Sequence, residues 1–329
     1  MKTIAFFNNK GGVGKTSLVY HLACMFADFG YRVIAADLDP QANLSGLFVS
    51  EDMLENIWET HKEKTIYGHV APIIEGDTGA MVKAPAVLRA RNDIGLLVGD
   101  LRLSKLEDEL SSEWTKCMTR SNKRPLRSTA SFAKQIAAVG KHFNVDLTLV
   151  DVGPNLGAIN RSALIASDYV VIPLAPDLFS LQGLRNVGPT LQDWREDWME
   201  RVARKPDDLS FDLPAGDMRP IGYVVMRHTA ILNRPVKAYL RWIKKIPAEY
   251  EKHVLLKAGR DRSVPIEADR NCLAHLKDYR SLMPLAQEVK KPMFALKPAD
   301  GVVGVQQNAV QSCYKDFSDL AEKILKRIG

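Results

Sequence analysis

Apolar residues along the chain gather in short runs that stop at polar or glycine-rich breaks. Ile4-Ala5-Phe6-Phe7 runs into Asn8-Asn9 and a glycine cluster, and predicts a buried first strand. Leu18, Leu22, Met25, Phe26 and Phe29 then recur at helical spacing, with Gly30 placed to close the helix. Residues 31–36 predict a second strand, which ends at Asp37-Leu38-Asp39-Pro40. Strand, glycine-rich turn, helix and strand make a βαβ unit, so a parallel sheet is expected. Further strands are predicted at 146–150, ending at Asp151, and at 169–174, 221–226 and 94–98. The pattern predicts an α/β fold with a doubly wound, mostly parallel sheet flanked by helices.

The organisation reads as one domain over residues 1–329. A less regular insertion is expected at about 50–141 and a terminal helix at about 312–328. In that helix Tyr314, Phe317, Leu320, Ala321, Ile324, Leu325 and Ile328 share a face, with Lys315, Lys323, Lys326 and Arg327 elsewhere. A basic amphipathic helix of this kind lies on a membrane surface or, more ordinarily, packs on its own domain. No apolar run reaches the ~18 residues of a membrane span.

Composition changes this picture little. Hydrophobic residues make up 46% and charged residues 26%, as in ordinary soluble domains. Lys and Arg number 45 against 39 acids, a net charge of +6. That excess suits an anionic partner such as nucleic acid, nucleotide or acidic lipid, or serves solubility alone. Cys24, Cys117, Cys272 and Cys313 are scattered, which excludes a Cys-x-x-Cys metal pair and a disulfide framework. A reducing, cytoplasmic setting is expected. The run after Lys2 is too short for the core of a signal peptide.

The candidate chemistry lies in Lys10-Gly11-Gly12-Val13-Gly14-Lys15-Thr16, followed by Ser17. Gly14-Lys15-Thr16 supplies the second half of a P-loop, while Asn9 stands where the first glycine is usual. Glycines at 11, 12 and 14 let the backbone wrap phosphates closely. The helix that follows offers its N–H groups and dipole to an anion. Lys15 would reach the terminal phosphates and the Thr16 hydroxyl would ligate Mg²⁺. The competing reading, a glycine turn with stray lysines, leaves the strand, loop and helix order unexplained. Lys10 is a second positive charge that the loop's own phosphates do not need. One rationale is that it crosses a dimer interface and acts like an arginine finger on the partner's nucleotide.

The chain resembles the ParA/MinD family of deviant Walker A ATPases, and the ParA branch most. Asp37-Leu38-Asp39-Pro40-Gln41-Ala42-Asn43 is similar to the family's switch I. Residues 149–157, Leu-Val-Asp-Val-Gly-Pro-Asn-Leu-Gly, are similar to its Walker B and switch II, with Gly153 where proline is usual. Ile172-Pro173-Leu174, Phe179-Ser180-Leu181-Gln182-Gly183-Leu184, Tyr279-Arg280-Ser281-Leu282 and Lys291-Pro292-Met293-Phe294 also follow the ParA pattern. The likeness covers roughly residues 1–48, 143–188 and 219–296. It implies ATP and Mg²⁺ as cofactors, with Lys10 as the signature lysine and Lys15 as the P-loop lysine. Asp39 would position the attacking water, and Asp37 and Asp151 would hold Mg²⁺, chiefly through its waters. The residues agree, since Mg²⁺ prefers carboxylates and water and all three acids end predicted strands at one crevice. Taken without that context, Asp39-Pro40 is a plain turn. Met226 and Arg227, where relatives contact the base, serve adenine or ordinary packing equally well.

The resemblance also implies a homodimer with ATP sandwiched at its interface and nonspecific binding of double-stranded DNA. A ParB-like or cargo adaptor protein would stimulate hydrolysis, for DNA partitioning or cargo positioning on the nucleoid. Candidate DNA contacts are Arg241, Lys244, Lys245, Lys257, Arg260, Arg262 and Arg270, with Arg120, Lys123, Arg124 and Arg127 as a second set. Such residues supply affinity through phosphates without reading sequence, and singly they read as a solvated face. The alternatives are a MinD-like membrane-associated ATPase and a ParA-like ATPase that acts on a protein cargo without DNA. A membrane partner is not expected from the ParA-like motifs around Asp151 and Gln182.

Overall fold

The computed structural model describes residues 1–76, 87–91, 93–119, 122–226, 241–257, 264–279 and 281–329. Its strands are β1 (Lys2–Phe6), β2 (Val33–Asp37), β3 (Leu88–Arg91), β4 (Ile94–Leu97), β5 (Leu147–Asp151), β6 (Tyr169–Leu174), β7 (Arg219–Met226) and β8 (Cys272–Leu276). They form one eight-stranded sheet in the order β3-β4-β2-β5-β1-β6-β7-β8. All neighbours are parallel except β3 and β4, which pair antiparallel at the edge.

The helices are α1 (Lys15–Asp28), α2 (Asn43–Phe48), α3 (Glu51–Thr60), α4 (Ile66–Glu75), α5 (Glu107–Lys116), α6 (Arg124–Thr129), α7 (Ser131–Phe143), α8 (Ala158–Ile165), α9 (Leu178–Ala203), α10 (Ile246–His253), α11 (Met283–Glu288) and α12 (Val305–Ile328). Among its described residues the stretch 50–141 thus holds two strands, the helices α3 to α6 and most of α7. Its strand β4 lies inside the sheet, paired with β2 from Val33↔Ile94 to Ala36↔Leu97.

Strand side chains alternate between faces, and the core divides accordingly. Ala5, Phe7, Ile34, Ala36 and Val150 face one apolar layer with residues of α4, α5, α7, α8 and α9. Ile4, Phe6, Val33, Ala35 and Leu149 face the other, which is filled by α1 and α12. With helices on both faces, the central strands are buried at every position but Lys2 of β1, and that is why they read as continuous apolar runs. α12 begins earlier than the sequence suggests, at Val305. Its apolar face is occupied, because Phe317, Leu320, Ala321, Ile324 and Ile328 are buried in the layer that contains α1. No helix among the described residues is long and apolar enough to cross a membrane.

Lateral spacing is tight along α9. A Cβ at Gly188 would collide with the backbone at His253, so glycine there lets α10 and the chain after it lie against α9. Gly183 does the same towards the phosphate loop, where an added Cβ would stand 2.9 Å from Asn9 Oδ1.

Candidate nucleotide site

The loop after β1 crosses the top of the sheet where connections diverge to either side, the usual ligand crevice of an open α/β sheet. Gly12 and Gly14 have φ of 71° and 84°, the left-handed region where glycine is at home. Gly14 precedes α1 and no side chain caps that helix, so its first N–H groups point to an anion site. Asn8 anchors the loop. Its side-chain amide donates to the Pro173 carbonyl at 2.6 Å, and its oxygen accepts from the Lys10 N–H at 3.1 Å. The cavity above the loop measures about 570 Å³ and is lined by residues 10–17, Asp39, Gln41, Asn43, Leu47, Pro154, Met283 and Gln287.

Asp37 and Asp151 are register partners on adjacent strands, and both are fully buried. Asp37 Oδ2 accepts from the Ser45 N–H and hydroxyl, each at 2.7 Å. The Ser45 hydroxyl in turn accepts from the Gly99 N–H at 2.9 Å. Asp37 Oδ1 and both Asp151 oxygens have no hydrogen-bond partner among the described residues, and Lys15 Nζ lies 4.0 Å from Asp151 Oδ1. Burial first, and then the neighbouring Asp151, push the Asp37 carboxyl up to about 8. Burial also raises Asp151, which the Lys15 ammonium and then the Thr16 hydroxyl, close by but outside ordinary hydrogen-bond geometry, restrain to about 6. Buried carboxylates are costly unless a cation compensates them. Three unpartnered oxygens beside the Thr16 end of the loop fit Mg²⁺, a hard ion that prefers oxygen ligands. A side chain at Gly99 would come within 2.7 Å of the Asp37 carboxylate, so that glycine keeps the acid in place.

Asp39 is also buried, with Oδ1 accepting from the Gln41 N–H at 3.0 Å. The loop after β5 faces it, since a Cβ on Gly153 would sit 3.5 Å from Asp39 Oδ1. Asn160 clamps that loop by donating to the Gly153 and Asn155 carbonyls at 2.8 and 2.7 Å. Pro154 meets the phosphate loop at Gly11.

Lys10 lines the cavity, but its ammonium turns to the start of α9. There it pairs with Asp177 and stands 5.8 Å from the Phe179 ring centroid. Asp177 also caps α9, its Oδ1 accepting from the Ser180 N–H at 2.9 Å. Burial alone would raise the Asp177 carboxyl, but Lys10 and that N–H hold it below the usual carboxylate range.

The AAA_31 family model, described as an AAA domain, matches residues 1–203. The chain belongs to that family and is a P-loop ATPase of the ParA/MinD type. It is 31% identical over 192 residues to the sporulation initiation inhibitor protein Soj of Bacillus subtilis, covering 58% of this chain and 65% of Soj. It is 31% identical over 193 residues to the chromosome partitioning protein ParA of Caulobacter vibrioides, covering 58% and 62%. The alignments therefore span under two thirds of either relative. Among solved structures, protein DIP2308 of Corynebacterium diphtheriae superposes with a TM-score of 0.71 at 24% identity, over 100% of this chain and 99% of that one. That likeness shows the shared fold.

In this ParA/MinD-type ATPase the two residues expected near the base differ in visibility. Met226, at the end of β7, packs against the apolar layer shared with α1 and α12, and Arg227 lies outside the described residues. Met283 and Gln287 of α11 line the cavity instead. Sequence reasoning passed over both, although the ParA-like segment ending at Leu282 runs directly into them. The basic candidates also divide. Arg241, Lys244, Lys245, Lys257 and Arg270 are exposed, while Arg260 and Arg262 lie outside the described residues. Arg241 and Lys245 flank the Trp242 ring at 5.1 and 5.4 Å. The second set is engaged internally. Lys123 pairs with Asp208, Arg124 pairs with Glu109, and Arg127 stacks on Phe211, while Arg120 is outside the described residues.

Proposed function

We propose that the chain hydrolyses ATP with Mg²⁺, closes into an ATP-sandwich homodimer and rides double-stranded DNA nonspecifically until a ParB-like or cargo adaptor protein stimulates hydrolysis. The observation that carries the ATPase reading is the trio of unpartnered carboxylate oxygens on Asp37 and Asp151, beside Lys15 at the mouth of a glycine loop. Bound Mg²⁺ would neutralise charge on the terminal phosphates. Lys15 and the loop N–H groups bind the phosphates, and Asp39 orients the attacking water. Lys10 leaves Asp177 to meet the partner subunit's nucleotide. The exposed apolar side chains Leu178, Phe179 and Leu156 suit a face that a second copy covers. DNA contact is assigned to the exposed Arg241, Lys244, Lys245, Lys257 and Arg270, and the setting to the cytoplasm and nucleoid. The buried apolar face of α12 argues against the membrane-associated alternative.

The test is Asp39→Ala. This variant is expected to bind ATP and dimerise but to lose hydrolysis by about a hundredfold or more. With ATP, and not with ADP, it should bind random duplex DNA in a salt-sensitive manner. Hydrolysis at the wild-type rate removes Asp39 from its role. A stable ATP dimer that ignores DNA moves the reading to a protein cargo.

A further inference from the structure

The loop that faces Asp39 is fixed from a distant part of the chain. Helix α8 follows that loop directly, and no side chain of its own caps it. The missing acceptors come from Glu107, the first residue of α5 and about fifty positions away in sequence. Its Oε1 accepts from the Ala158 N–H and its Oε2 accepts from the Ile159 N–H, the latter at 3.1 Å. A carboxylate there satisfies two orphan donors and complements the helix dipole. The local chain is shaped to admit it, since a Cβ at Gly157 would land on the Glu107 carboxylate. The first turn of α8 carries Asn160, whose amide holds the Gly153 and Asn155 carbonyls. The path therefore runs from Glu107 to α8, to Asn160, and to the loop facing Asp39 and Gly11.

We propose that Glu107 is a positioning residue for ATP hydrolysis, setting the Gly153–Asn155 loop against Asp39 through α8. It acts through Asn160 and touches neither nucleotide nor water. α5 is itself held firmly, because Trp114 is stacked with Trp198 and carries Arg161 and Arg201 on its ring at 4.3 and 3.9 Å. The inference rests on the ATPase reading above. Its prediction is a loss in the chemical step and not in nucleotide binding, because the hydrogen bonds of Glu107 among the described residues run to the start of α8 and none runs to the phosphate loop or α1.

The experiment compares Glu107→Gln, Glu107→Ala and Glu107→Asp in the full chain for kcat, KM for ATP, ADP affinity and thermal midpoint. Glu107→Gln keeps one acceptor and turns the other into a donor facing a helix N–H. It should lose about tenfold or more in kcat, with KM and ADP affinity within about twofold of wild type. The assay temperature is set well below the variant's midpoint, and Glu107→Asp, which keeps both acceptors, should recover most of the rate. A folded Glu107→Gln with wild-type kcat overturns the proposal. So does a parallel fall of kcat, ADP affinity and midpoint, which marks a merely structural cap. Wild-type protein without any ATPase activity would instead sink the functional reading itself.

Discussion

At the scale of single residues, Lys10 is the side chain whose position most changes its meaning. Its sequence context marks it as a charge in excess of the loop's needs, but gives no hint of Asp177, far along the chain. The ion pair is partly exposed, with 26% and 13% of the two side chains open to solvent, so it is worth about 0.5–1 kcal/mol. If Lys10 has to leave it to serve a second copy, Asp177→Asn should tighten the ATP-dependent dimer a few-fold. Asparagine retains the oxygen that caps α9, so the helix start survives. Sedimentation of the ATP-bound variant checks this, and an unchanged or weaker dimer shows that the pair does not compete with dimerisation. The grouping of Lys15, Thr16, Asp37, Asp39 and Asp151 about one crevice is legible in the sequence, because each lies in or beside a short motif that follows a strand. That of Ser45, Gly99, Asn160, Met283 and Gln287 is not, since their roles come from contacts across the fold.

At the scale of elements, buried parallel strands announced themselves and edge strands did not. β1, β2, β5, β6 and β7 are apolar runs covered by helices on both faces. β3 shows no fully buried position and β8 only two, so neither carries a run that periodicity can find. α1 illustrates a tie that no periodicity reveals. His21 Nδ1 meets the Ser17 carbonyl at 2.7 Å, and its Nε2 accepts from the Met293 N–H at 3.1 Å. The ring is therefore neutral, and burial lowers its pKa to about 4. The unfolded chain binds that proton below about 6.5 while the folded chain does not, so stability falls as pH drops from about 6.5 to about 4. The full loss is about 3 kcal/mol. The raised carboxyls of Asp37 and Asp151 act in the opposite sense over their own range. The measurement is therefore the difference in urea-unfolding free energy between wild type and His21→Gln at about pH 7 and about pH 4.5. The wild type should lose more on acidification, and equal losses would assign the pH dependence elsewhere.

At the scale of the whole molecule, the net charge of +6 is too small to specify a partner, and its distribution matters more. Arg241, Lys244 and Lys245 are exposed near a tryptophan, while Lys123, Arg124 and Arg127 are spent on internal contacts. If the first group meets DNA phosphates, replacing all three with alanine should weaken ATP-dependent binding. The slope of log affinity against log salt should then fall by about 0.9 for each phosphate no longer neutralised. An unchanged slope would place the DNA face elsewhere.

Helix α9 has 26 residues, about 39 Å at 1.5 Å per residue. Its first turn holds Lys10, and Arg201 in its last turn rests on Trp114 of α5. The opposite end of α5 carries Glu107 and the loop beside Asp39. The two loops that line the cavity are thus joined twice, directly across it and again through a closed circuit of packed rods. In such a linkage α9 works as a lever, and a tilt of about 5° at Lys10 carries its far end through about 3 Å. A protein that pressed on any arm of this circuit could set the pace of the reaction without touching the nucleotide.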